Sequence, residues 1–209
     1  MENNEKLRRY TTLPILLDML ANRHITLLDP SSWEDRNDSF FLETYRTKKK
    51  LKTLLALCFT MRGETFHHWK VFAGNASGVC VRFHGDRLLD CFNGKQGVRT
   101  GKVKYILTRD LKEKPPKPIE LPFLKRKQYE DEKEFRILYE SHDKTFSHKT
   151  FKLDLKSIDR IILSPWLPNP VFETLKSLIP NIARDSSIRV THTGVIDYWL
   201  WREIVKNMP

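Results

Sequence analysis

The sequence predicts an α+β protein: a mixed or antiparallel, split β-sheet core with flanking helices. Three observations point there. Strand-like runs, rich in apolar, β-branched and aromatic residues, outnumber long helical patterns. The two kinds of segment are not evenly interleaved, which argues against a doubly wound parallel sheet. And 209 residues suit one domain of good size, whose core needs no disulfides.

Taken in order, Thr12 can cap a helix that carries Pro14 in its first turn and Leu13, Leu16, Leu17 and Leu20 on one face. "HITLLDP" (24–30) reads as a short strand ending in a turn, and 33–50 reads as helical. "LLALCFTM" (54–61), "GVCVRF" (78–83) and "VKYILT" (103–108) are expected strands. Between the first two, "GETFHHWKVFAGN" forms a short helix with Phe66, Trp69 and Ala73 in register. Asn93-Gly94 signals a turn. "KEKPPKP" (112–118) carries three prolines among charges, and the stretch 112–127 reads as an exposed connection within a single 1–209 domain. "FRILYE" (135–140), "IDRIILS" (158–164) and "SIRVTHT" (187–193) are further strands. Asn169-Pro170 opens a helix that Pro180 is expected to end.

Lys plus Arg number 37 against 26 Asp plus Glu, a formal charge of +11. Such a charge favours polyanions: nucleic acid, phosphate-bearing cofactors or an anionic membrane. The basic runs 46–52 and 112–127 carry much of it, and solvated surface is the simpler explanation of each. No apolar run approaches the ~18 residues of a membrane span. "MENNEKLRRYTT" has no apolar h-region, so no secretory signal is expected. Cys58, Cys80 and Cys91 make no even disulfide framework, and a reduced cytoplasmic setting is expected.

Several chemistries lack their motifs. There is no G-x-G-x-x-G after a strand, no G-x-x-x-x-G-K-S/T, no G-x-S-x-G and no H-E-x-x-H. His67, His68, Cys58, Cys80, His84 and Cys91 lack C-x-x-C spacing, and adjacent histidines on a helix point about 100° apart, so no metal is expected. "LRRYTT" (7–12) offers arginine forks suited to phosphate, or a strand end with a packed Tyr10. Trp69 and Phe72 read as core aromatics. Thr60 ends a strand with a hydroxyl that can face a cleft or cap the next helix.

"YEDEKEFRIL" (129–138) crowds acids into a basic chain. Strand alternation puts Glu130, Glu132, Glu134 and Arg136 on one face, with Phe135, Ile137 and Tyr139 toward the core. With a strand that starts near Glu132, Glu132 and Glu134 stand side by side. Each raises the other's pKa while Arg136 lowers both. The plain alternative is a charged face ending in an ion pair worth under about 1 kcal/mol.

These motifs together resemble a large bacterial family known only as a domain of unknown function, family twenty-nine seventy-one. Its pattern runs L-Y-R/K-Y-S/T, then F-N-D-P-F-E, C-F-S, W-x-x-Y-A, G-V-C-I-x-F and a late Y-x-x-E-x-E-x-R-I. This chain offers Leu7-Arg8-Arg9-Tyr10-Thr11, "WEDRND", Cys58-Phe59-Thr60, Trp69 to Ala73, Gly78 to Phe83, then Tyr129, Glu132, Glu134, Arg136 and Ile137. Arg8, "WEDRND" and Phe72 depart from the pattern, so the resemblance is to a divergent member.

More distantly, the same blocks resemble the ADP-ribosyltransferases, which have a basic residue on an early strand, a strand–S/T–helix block with an aromatic, and E-x-E at a late strand. The resemblance implies NAD as substrate and no metal. Arg9 would contact the NAD phosphates or ribose, and Thr60 and Phe72 would line the nicotinamide pocket. Tyr10, Trp69 and Arg136 join the cofactor-binding set. Glu134 would stabilise the cation formed as nicotinamide leaves, and Glu132 would orient the acceptor. An enzyme of this kind, acting as a toxin or anti-phage effector with a nucleic-acid or protein acceptor, is one reading; a non-catalytic basic nucleic-acid-binding module is the other.

Overall fold

The computed structural model describes residues 5–208. Its strands are β1 (Lys6–Thr12), β2 (His24–Leu28), β3 (Thr53–Thr60), β4 (Gly78–His84), β5 (Val98–Lys102), β6 (Lys104–Ile106), β7 (Leu124–Arg126), β8 (Glu134–Ser141), β9 (His148–Lys152), β10 (Ile158–Leu163) and β11 (Val190–His192). Its helices are α1 (Leu13–Asn22), α2 (Arg36–Lys48), α3 (Phe66–Ala73), α4 (Gly85–Asp90), α5 (Thr108–Glu113), α6 (Asn169–Ala183) and α7 (Trp199–Lys206). Pairing is mostly antiparallel and helices flank the strands, as the α+β expectation has it. No helix among the described residues is long and apolar enough to cross a membrane.

The chain forms two compact units. The first takes the N-terminal residues to Arg23, Gly63–Leu88, and everything from Asp154 on; the second takes His24–Arg62 and Leu89–Leu153.

In the first unit the strands run β11-β10-β4-β1, parallel only between β10 and β11. Register sets Leu7, Arg9 and Thr11 beside Phe83, Val81 and Val79, and these beside Ile161 and Leu163. Alternation therefore gives one apolar face, whose Leu7, Val81, Phe83 and Ile161 are fully buried. Helix α1 touches β1, β4 and α6, and its buried Leu16, Met19 and Leu20 supply the cover such a face requires. The opposite face carries Lys6, Arg8 and Tyr10, then His84, Arg82 and Cys80, then Arg160 and Ile162. Helix α3 covers its apolar end, where Trp69 and Ala73 pack on Cys80 and Ile162.

In the second unit the strands run β5-β8-β3-β2-β9, all antiparallel. Strands β3 and β8 are matched from Thr53↔Ser141 to Thr60↔Glu134. One face presents Leu54, Ala56, Cys58 and Thr60 with Glu140, Leu138, Arg136 and Glu134. Its apolar centre packs under α2 and the 3-10 turn Pro118–Phe123, through Leu42, Tyr45, Leu51, Leu121 and Leu138. Each buried leucine there contributes about 1.5–3 kcal/mol. Asp35 caps α2 by accepting from the backbone N–H groups of Asn37 and Asp38. Where β5 begins, Gly97 has φ +78°, and a Cβ there would lie 2.3 Å from the Glu140 carbonyl oxygen, so only glycine fits.

Some local expectations change. The run 103–108 is not one strand: β5 ends at Lys102 and β6 covers only Lys104–Ile106. Between them Val103 donates its N–H to the Glu134 carbonyl oxygen, which breaks the run. Pro180 does not end α6. The helix runs to Ala183 because Ile179 and Ala183 are buried on either side, and Arg184 ends it in the left-handed conformation. Phe66 is half exposed rather than packed in register with Trp69 and Ala73. Thr12 precedes α1 with extended backbone but makes no side-chain cap. Strand β8 starts at Glu134, and Glu132 lies in the preceding 3-10 turn, Lys127–Glu132.

Candidate functional site

In the second unit, the face that carries Glu134 and Arg136 closes over a buried group of charges. Arg136 is 0% exposed. Its Nε donates to Glu134 Oε1 (2.8 Å), and Nη2 donates to Glu134 Oε2 (2.9 Å) and to Asp38 Oδ2. Its Nη1 donates to Asp38 Oδ1 (2.8 Å) and to the Pro122 carbonyl (2.9 Å). All five guanidinium N–H groups are thereby used, on two forked carboxylates and one carbonyl. The Trp33 ring lies 5.3 Å from its Cζ.

Lys125 is the second cation. Its Nζ lies 2.6 Å from Glu132 Oε2, 3.4 Å from Glu134 Oε2 and 3.6 Å from Asp38 Oδ2. Lysine thus joins the two glutamates that the sequence sets two residues apart. Strand alternation does not do this, because Lys133 between them is left-handed (φ 41°) and turns the chain. Fixed backbone bonds hold the turn: Glu134 N–H donates to Tyr105 Oη (2.7 Å), and Met61 N–H to the Lys133 carbonyl (2.9 Å). Thr60 Oγ1 donates to the Glu132 carbonyl and accepts from Arg62 N–H (3.0 Å), while Thr65 caps α3.

The group holds three carboxylates against two permanent cations, and they divide the charge unequally. Burial pushes the Glu134 carboxyl up, but Arg136, Lys125 and the Cys58 thiol override it and lower its pKa to about 2. Burial raises Glu132, and Lys125 offsets only part of that; Glu134 adds to the rise. Burial likewise raises Asp38 against the pull of Arg136. Burial alone would lower Lys125, but Glu134 and Glu132 raise it. Glu134 is thus a fixed anion with its lone pairs engaged. Glu132, whose side chain is 18% exposed, is the carboxyl that reaches solvent and holds a proton more readily.

Stability should record this. The folded pKa of Glu134 lies below its ordinary 4.5, so its contribution is present above about pH 4.5 and is lost as pH falls toward about 2. Glu132 and Asp38, being raised, act in the opposite sense as they take up protons. Comparison with Glu134→Gln isolates the first effect: the stability gap between wild type and variant, measured in urea, should close between about pH 4.5 and 2. A gap that stays constant would mean that the carboxylate is not held below its ordinary value.

Four other residues from the sequence reading lie in the first unit. Arg9 and Tyr10 point to opposite faces of β1, so the arginine that shares Tyr10's face is Arg8. Tyr10 meets Trp69 edge-on (5.2 Å), stacks on His68 (5.8 Å) and approaches Phe72 (6.4 Å). Trp69 is fully buried, its Nε1 donating to Glu64 Oε2 (3.1 Å). Phe72 is 45% exposed.

Sequence reasoning missed Asp38, Lys125, Cys58, Tyr105 and His68 as members of these groups. Asp38 had a signal, since it falls just after "WEDRN", within the block matched to F-N-D-P-F-E. Lys125 had a weaker one: it follows the apolar Phe123-Leu124 inside a run that otherwise reads as solvated. Among the described residues no group of three or more His, Cys, Asp or Glu is arranged to hold a metal ion.

No protein-family model matches the chain, and no curated protein matches it in sequence. The likeness to family twenty-nine seventy-one therefore rests on the quoted motifs. Among solved structures the chain is similar to DarT of Thermus sp. 2.9 in complex with carba-NAD+ (11% identity, 92% of this chain and 97% of that chain, TM-score 0.47). It is also similar to DarT in complex with NAD+ (11% identity, 91% and 96%, TM-score 0.47). A third is DarT in complex with ADP-ribosylated ssDNA (10% identity, 91% and 94%, TM-score 0.47). At this level of likeness the chemistry has to come from the chain's own residues.

Proposed function

We propose that the chain is an NAD-dependent ADP-ribosyltransferase-like enzyme whose chemistry is carried by Glu134 and Glu132. One observation carries the reading: two carboxylates two residues apart have environments that push their pKa values in opposite directions, which is how paired acids divide their roles. Left-handed Lys133 between them supports it, since strained backbone gathers at functional sites.

In the reaction, the bond from nicotinamide nitrogen to ribose C1′ breaks, and its electron pair leaves with nicotinamide. Positive charge develops at C1′ and the ring oxygen. A carboxylate that is already ionised and already oriented stabilises that charge without reorganising. Glu134 supplies it. The acceptor's nucleophile then forms the new bond to C1′, and its proton goes to Glu132. Arg136 and Lys125 act through Glu134, as positioning residues. Within the second unit the proposal keeps for Thr60, which is bonded to the Glu132 carbonyl, the nicotinamide-contacting role that the family resemblance implies. An activity that consumes NAD or marks a nucleic-acid or protein acceptor suits a toxin or anti-phage effector.

The division of roles is testable at Glu132. With labelled NAD and protein, DNA and RNA fractions as acceptors, Glu132→Gln should release nicotinamide within about threefold of wild type. Label transfer should fall by about 10²-fold or more, the usual worth of a general base. Transfer at the wild-type rate would remove Glu132 from the mechanism.

A further inference from the structure

The polar face of the first unit's sheet holds a second concentration of charge, in which Glu134 and Glu132 play no part. Register sets Arg8 directly opposite Arg82, and Arg82 directly opposite Arg160. Three arginines therefore form one row across β1, β4 and β10, with Lys6 opposite His84 in β1 and β4 two residues further along. Like charges directly opposite one another destabilise a sheet. Asp159 sits beside Arg82, Arg160, Lys6 and His84. The register slips between Ile158 and Arg160, so Asp159 and Arg160, adjacent in sequence, reach the same cluster. Asp159 lies 3.2 Å from Lys6 Nζ, 2.5 Å from Arg82 Nε, 3.5 Å from His84 Nε2 and 3.5 Å from Arg160 Nε.

Asp159 carries one negative charge against the permanent cations Lys6, Arg82 and Arg160 that touch it. It orients them. Arg82 meets Asp159 through Nε, and among the described residues its Nη pair engages no acceptor. Arg160 Nε is buried with no hydrogen-bond partner, its distance to Asp159 being that of an ion contact. The side chains of Lys6, Arg82 and Arg160 remain 24%, 21% and 29% exposed, so each is held by the protein on one side and open on the other. A guanidinium held at Nε with its Nη pair unengaged, as in Arg82, suits tetrahedral oxyanions, and an added anion would relieve the repulsion along the row.

We propose that this face, made by Lys6, Arg82 and Arg160 around Asp159, is a binding site for phosphate oxyanions, whether borne by a nucleic-acid backbone or by a free polyphosphate or nucleotide. The basic runs 46–52 and 112–127 are not this site. Within the second of them Lys125 is buried among carboxylates, and in the first Lys48, Lys49 and Lys50 are exposed with no such geometry.

The test is fluorescence anisotropy of a labelled oligothymidylate on the full chain, with unlabelled tripolyphosphate and NAD as competitors. Arg82→Gln combined with Arg160→Gln should weaken binding at least tenfold. It should also flatten the salt dependence by about 1.4, for two phosphate contacts on a single strand at about 0.7 each. Lys48→Gln, Lys49→Gln and Lys50→Gln together should change affinity less than twofold. Arg82→Gln removes the bond to Asp159, so the double variant is compared where circular dichroism shows it folded. Arg160→Gln alone removes no hydrogen bond within the described residues, and should still weaken binding about threefold if the double variant does not fold. Competition by tripolyphosphate as strong as by unlabelled oligonucleotide would identify a general phosphate site; competition by oligonucleotide alone would identify a backbone site. Glu134→Gln should bind as wild type does, which separates this site from the proposed reaction. No binding by wild type, or equal loss in the lysine triple variant and the arginine double variant, overturns the proposal.

Discussion

Arg136→Met is expected to cost the second unit about 3–5 kcal/mol, the usual penalty for removing one partner of a buried ion pair. The reason lies in what remains. Methionine fills much of the volume, but Asp38 and Glu134 keep their buried carboxylates and lose five hydrogen bonds between them and the Pro122 carbonyl. Lys125 touches both acids at 3.4–3.6 Å and can replace only a fraction. Asp38 lies in the first turn of α2 and Glu134 begins β8, so the arginine ties the helix to the sheet at this end. At the other end a separate group does similar work: Arg99 Nη1 donates to Glu140 Oε1 (2.9 Å) and to Tyr45 Oη (2.6 Å). Urea denaturation followed by circular dichroism gives the number. Adding Asp38→Asn to the variant should recover about 1–2 kcal/mol by removing one stranded charge. A loss below about 1 kcal/mol for Arg136→Met would show that the group is not what secures α2.

Glu134→Gln should reduce nicotinamide release by about 10²–10³-fold, the scale set by removing one preorganised group that stabilises transition-state charge. The substitution keeps the shape, and the amide oxygen can still accept from Arg136. What disappears is the carboxylate's negative charge. A purely structural role predicts a different pattern. In that case Glu134→Gln would lose stability, and residual activity would track the folded fraction. The two are separated by assaying at a temperature where both proteins are fully folded, and by measuring kcat apart from KM. A fall in kcat with KM within about threefold assigns Glu134 to the chemical step. A change confined to KM assigns it to binding.

Much of this architecture was legible from alternation and turn chemistry. The pattern in "EFRILYE" placed Glu134 and Arg136 on one face, and the pairing with Thr60 at the end of β3 agrees with it. The same rule failed one step earlier. It extended the strand to Glu132, because no signal in the sequence marks Lys133 as left-handed; that conformation favours glycine or asparagine, and lysine is held there by the surrounding bonds. Charge patterning misled in the same region. Lys125 looked like one of many solvated lysines, and only long-range packing sets it among three acids. Proline lacks an amide donor and so signals a helix end at 180, yet burial of Ile179 and Ala183 outweighs that loss near the end of α6. The arginine row was invisible for a different reason. Arg8, Arg82 and Arg160 are each separated by more than seventy residues, and register across three strands cannot be inferred from any one of them.

The central claim is that a buried, permanently ionised Glu134 stabilises a cation drawn from NAD. The most direct measurement is nicotinamide release from NAD by wild type and by Glu134→Gln, both verified as folded. Release by wild type that falls by about 10²–10³-fold in the variant is the expected result. Release that is absent from wild type with protein, DNA and RNA all supplied, or that is equal in the two proteins, would contradict it.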